Sequence, residues 1–97
     1  MLDKMKQLME VKRQADQLKK ELDAAQIEVN EVQGIRIAIN GSQTFLSLDI
    51  DSQFLNADNK QRIEKDLLRS LNSAVRKSQM LAAQKMKTLT GLDIPGL

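Results

Sequence analysis

Arg62, Lys65, Arg69 and Arg76 follow one another at intervals of three, four and seven residues. On an α-helix those intervals return to one face, so the four cations would stand in a row. Between Asp66 and Asp93 there is no acidic residue, whereas Arg69, Arg76, Lys77, Lys85 and Lys87 all fall there. Five uncompensated cations over a few turns suit contact with phosphates, because each phosphate neutralised releases condensed counterions. A solvated helix face explains the same residues without any ligand. A second row lies near the N-terminus, where Lys6, Arg13 and Lys20 are spaced by seven with Lys12 and Lys19 beside them. This stripe is about 20 Å long at 1.5 Å per residue. Asp3, Glu10 and Asp16 precede Lys6, Arg13 and Lys19 by three residues, so surface ion pairing accounts for much of it.

Other chemistry is poorly supplied. The chain has no Cys, His, Trp or Tyr. That removes disulfides, thiolate nucleophiles, imidazole acid–base catalysis and zinc sites with sulfur or nitrogen ligands. Asp49, Asp51 and Asp58 offer carboxylates to a hard cation, but without EF-hand spacing, and Asp suits the strand end and helix cap where two of them fall. Serines have no His to activate them, and the isolated glycines form no phosphate-cradling loop. The expectation is no enzyme, no cofactor, no metal and no small-molecule substrate. Phe45 and Phe54 are the only aromatics, which argues against single strands, whose binders stack bases on rings. Duplex DNA contacted through its backbone fits better.

The elements that must position these charges are legible from periodicity. Leu8, Val11, Ala15, Leu18, Leu22 and Ala25 alternate in steps of three and four, a heptad seam that Met1 extends and Lys4 interrupts. The spacing predicts a helix over about 3–26 whose narrow apolar seam meets a partner helix, or packs on the chain's own second helix or hairpin. "IEVNEVQG" predicts a first strand over about 27–32. "IRIAI" and "FLSLDI" predict strands over about 35–40 and 43–50, with Ile35, Ile37 and Ile39 on one face and Leu46, Leu48 and Ile50 on one face. Asn40-Gly41 between them suggests a type I′ turn. Asp58 with Gln61 resembles a capping box opening a helix over about 58–88. Its stripe of Ile63, Leu67, Leu68, Leu71, Ala74, Val75, Ser78 and Ala82 can cover the sheet, and Gly91 begins a tail, 91–97. The pattern is α+β: helix, three-stranded antiparallel meander, helix, in one domain, 1–97.

The balance of charge supports the same division. Residues 1–20 hold six basic and three acidic side chains, 21–60 two and seven, and 61–97 seven and three. Basic ends around an acidic middle suggest an anionic partner for the ends. No leader-like segment and no apolar run of membrane-spanning length is visible, so a cytoplasmic protein is expected. The seam is narrow and lacks aromatics, which favours helix partners over lipid.

"KMKQLMEVKRQADQLKKEL", "IRIAING", "LDID" leading to "FL", "DLLRSLNSAVRKSQ" and "QKMKTLTGLDIPGL" together resemble the YbaB/EbfC family of nucleoid-associated proteins, in order and over nearly the whole chain. "NEVQG" stands where the family carries a longer Gly-containing loop. The resemblance implies a tweezer-like homodimer in which sheets and second helices pack together while helical arms project. It also implies DNA binding with little or modest sequence preference, and a place in the nucleoid with effects on its organisation and on gene expression. The expected DNA-binding residues are Arg62, Lys65, Arg69, Arg76, Lys77, Lys85 and Lys87, assisted by Lys6, Lys12, Arg13, Lys19 and Lys20. The alternative is a coiled-coil protein-interaction module that does not bind DNA directly.

Overall fold

The computed structural model describes residues 2–90. Met1 and the expected tail at 91–97 lie outside them. Helix α1 (Leu2–Ala24) leads into strands β1 (Gln26–Val29), β2 (Ile35–Asn40) and β3 (Phe45–Ile50), and helix α2 (Lys60–Thr90) closes the chain. The strands form one antiparallel meander in the order β1-β2-β3. The α+β reading is therefore correct.

Alternation decides which residues make the core. Ile35, Ile37 and Ile39 share one face of β2 and are buried with Val29 of β1 and Ala74 of α2. Ile27, Val32, Ile50, Leu67, Leu71 and Val75 pack around them. Full burial of each such aliphatic side chain stabilises the fold by roughly 1.5–3 kcal/mol. Helix α2 packs across β1 and β2, and β3 lies beyond its cover, so Leu48, directly opposite Ile37, remains 53% exposed. Leu68, expected in the apolar stripe of α2, is exposed as well.

Three local expectations are corrected. First, Ile39 faces Phe45 and Ala38 faces Ser47, so Leu46 is an extra residue in β3. This bulge puts Phe45, in place of Leu46, in line with the buried isoleucines. Second, neither Asn40 nor Gly41 has positive φ; the left-handed residue of the hairpin is Gln43, at φ 62°. Gln43 N donates to Asn40 O (3.3 Å) and Asn40 N to Thr44 O (3.0 Å), so the connection is a turn followed by a left-handed residue, not a two-residue type I′ turn. Third, the approach to α2 is capped by Asn56, whose Oδ1 accepts from Asn59 N at 3.0 Å across a single 3₁₀ turn, Ala57–Asn59. Asp58 lies inside that turn and makes no capping box.

Gly41 is required for a tertiary reason. Its N–H donates to Leu22 O (2.8 Å) and Ala25 O (3.2 Å), which satisfies carbonyls that the end of α1 would otherwise leave open. A Cβ there would sit 2.9 Å from Leu22 Cδ2 and 3.0 Å from Leu22 O. Asn40 completes the junction. Its Oδ1 accepts from Ser42 N and Thr44 N, both at 2.9 Å, its Nδ2 donates to Asp23 O, and its carbonyl accepts from the buried Ser78 hydroxyl at 2.7 Å. Ser42 also bonds the Asp23 carboxylate. The hairpin tip thus binds the end of α1 and the middle of α2 at one point.

Both helices continue from that point, and the molecule measures 67 × 24 × 15 Å. Leu18 and Leu22 of α1 border an open apolar groove of about 610 Å³ with Met80, Ala82, Ala83 and Met86 of α2. The seam therefore meets the chain's own second helix only in its last turns. Further out, Leu8 and Val11 are 70% and 63% exposed.

Candidate nucleic-acid interface

The expected cations of α2 divide into groups. Lys65, Arg69 and Arg76 stand exposed, and among the described residues none has a carboxylate within ion-pair distance. Arg76 also edges the apolar groove beside Leu18 and Met80. Arg62 is engaged locally: its guanidinium lies 5.5 Å from the centre of the Phe54 ring, and its Nε is 3.5 Å from Asp66 Oδ2. Phe54 in turn packs where a side chain at residue 34 would go, since a Cβ on Gly34 (φ 90°) would fall 2.5 Å from the ring. Lys85 is half-buried and Lys87 exposed in the last turn of α2, where the helix dipole favours a cation.

Lys77 is the exception to the uncompensated run. Glu31, on the connection between β1 and β2, places Oε1 3.1 Å from Lys77 Nζ and accepts a hydrogen bond from Ser73 Oγ at 2.7 Å. The Ser73 hydroxyl, then Lys77, hold the Glu31 carboxyl below its ordinary range, with Arg69 adding to the attraction. The expectation of five uncompensated charges is corrected accordingly. The neutralising group comes from another element, where helix periodicity carries no signal.

On α1, Lys6, Lys12 and Lys20 are exposed. Arg13 pairs with Glu10 at 2.7 Å, as the spacing suggested, whereas Lys19 pairs forward with Asp23 at 3.6 Å in place of Asp16. Lys12, Arg13 and Lys20 rim a shallow depression with Met9 and Gln17. Of the carboxylates considered for a cation, Asp49 bonds Arg36 at 2.7 Å and Asp51 caps the turn Ser52–Phe54 through Gln53 N. No group of three or more His, Cys, Asp or Glu suited to a metal occurs among the described residues. Among those residues no helix is long and apolar enough to cross a membrane.

The molecule is a small α+β protein whose exposed cations ride on helices anchored at one end of a meander. Its family is shown by comparison. The YbaB/EbfC DNA-binding family matches over residues 1–92, and the chain belongs to it. It is 30% identical over 95 residues to a nucleoid-associated protein of Syntrophobacter fumaroxidans, covering 96% of this chain and 86% of the relative. It is 32% identical over 95 residues to one of Prochlorococcus marinus strain MIT 9301, covering 94% and 81%, and 30% identical to one of Pelotomaculum thermopropionicum, covering 96% and 90%.

Proposed function

We propose that this protein is a nucleoid-associated protein of the cytoplasm that binds duplex DNA mainly through backbone phosphates, with low sequence specificity. The observation that carries the reading is the exposed row of Lys65, Arg69 and Arg76, on a chain whose relatives are named nucleoid-associated proteins. Lys85, Lys87 and the cations of α1, Lys6, Lys12, Arg13, Lys19 and Lys20, extend the surface, and Arg13 and Lys19, like Arg62 and Lys77, are engaged by partners within the chain. Contacts of this kind fix position and carry no base information, so any preference comes from groove shape or deformability. Binding of this sort organises the nucleoid and thereby affects gene expression.

The active form is a homodimer. Phe45, Leu46 and Leu48 of β3 remain exposed beside a covered core, and a second copy supplies their cover, leaving two pairs of helical arms to grip the duplex. The second reading, a coiled-coil interaction module, is favoured by one observation, the open outer seam at Leu8 and Val11.

Fluorescence anisotropy with two unrelated duplexes at several salt concentrations tests the proposal. Both duplexes are expected to bind, with log affinity falling linearly against log salt. Arg69→Glu with Arg76→Glu should weaken both alike, and lower the slope by about 2 to 4 as two contacts per protomer are lost. No binding to either duplex at low salt would favour the interaction module, and loss on one sequence only would contradict backbone recognition.

A further inference from the structure

We propose that Glu31 is a built-in occupant of a phosphate subsite on α2, holding Ser73 and Lys77 until a DNA phosphate displaces its carboxylate. The inference rests on the duplex reading above and names a device that sets its affinity.

Three observations support it. Arg69, Ser73 and Lys77 stand four residues apart, one row along α2 with a rise of about 6 Å per step. Ser73 is buried, 3% exposed, with its hydroxyl directed to Glu31 Oε1 at 2.7 Å; Lys77 Nζ reaches the same oxygen at 3.1 Å. A hydroxyl and an ammonium converging on one oxygen anion, with a guanidinium near enough to attract it, is the donor set that a phosphate oxygen takes. Glu31 is not part of the sheet or of α2. It reaches the row from the connection between β1 and β2, and the pair is partly solvated, with side-chain exposures of 44% for Lys77 and 38% for Glu31. Ion pairs so exposed are weak, so a duplex that presents a phosphate at the same spot competes with the carboxylate on near-equal terms. Because one anion replaces another, Lys77 adds little to the affinity of the resting protein and little to its salt dependence.

The neighbouring cations differ from Lys77 in having no such carboxylate. Lys65 and Arg76 face solvent without a resident anion, so they meet DNA first. Glu31 then acts as a restraint on how tightly the row closes, which keeps a low-specificity binder exchangeable along DNA.

The test is anisotropy against one duplex over a salt series. Glu31→Gln is expected to tighten binding about three- to tenfold and to steepen the log–log slope by about 0.9 per protomer, one further phosphate contact. Glu28→Gln removes the same charge from the opposite face of the sheet, beside Arg36, and should change affinity less than twofold. In a Lys77→Ala background the gain from Glu31→Gln should shrink below twofold, since residues acting through one contact are not additive. Equal effects of Glu31→Gln and Glu28→Gln, or a gain that survives without Lys77, would reduce Glu31 to general charge. Lower stability of Glu31→Gln with unchanged affinity would make it a loop tether. Either outcome overturns the proposal while leaving duplex binding intact; failure of both wild type and Glu31→Gln to bind at low salt would overturn the duplex reading itself.

Discussion

Glu31 shows how one side chain couples the sheet to α2 through protonation. Its carboxyl is held below the ordinary value of 4.5 by the Ser73 hydroxyl and Lys77, so the folded state favours the ionised form. The resulting stability is present above pH 4.5 and is lost as pH falls through the lower folded value. Urea midpoints should therefore drop more steeply for wild type than for Glu31→Gln between about pH 5 and about pH 3; parallel curves would show that the contact contributes nothing. The cations themselves were readable from spacing. Their state was not, because Lys77 and Arg62 are engaged by Glu31 and Phe54, which lie on other elements. At the residue scale, sequence identifies charge and the fold decides which charges are already spoken for.

Among the elements, the hairpin tip governs the direction of α1. Gly41→Ala should destabilise the fold by about 1–3 kcal/mol, the usual cost of forcing a methyl into a close contact. Urea denaturation measures this, and Ser42→Ala, whose loss is confined to one exposed hydrogen bond to Asp23, should cost less than half as much. Asn40-Gly41 marked the turn correctly and for the wrong reason. Dihedral preference suggested a mirror-image turn, whereas the glycine is needed because the Leu22 carbonyl lies against it. The helices and the faces of β2 were legible because their periods are long and regular. The bulge at Leu46 and the cap at Asn56 were not, since each is chosen by pairing with groups elsewhere in the chain. Asn56 and Asp58 are equally good caps by type, and only the hydrogen bond to Asn59 N separates them.

For the whole molecule, the uncovered face of β3 sets the oligomeric expectation. Leu48→Asp should convert the protein to a monomer in sedimentation velocity. It should also roughly halve the salt slope of duplex binding, as only one protomer's cations remain to contact the DNA. An intact dimer with Leu48→Asp would move the interface elsewhere, the outer seam of α1 being the next place to examine. This scale was the least legible in the sequence. An apolar alternation in β3 reads the same whether or not α2 covers it, and only the placement of α2 over β1 and β2 shows that it does not.

Helix α1 buries none of its residues, and its outer turns, from Leu2 to Arg13, are exposed all round. A single helix of that length is marginal in water on its own propensity. Backbone amides there should exchange with solvent far faster than those of β2, a difference that hydrogen exchange measures. The reach of the protein should then be a thermal quantity as much as a geometric one, with far-UV helix signal falling on warming before the core unfolds.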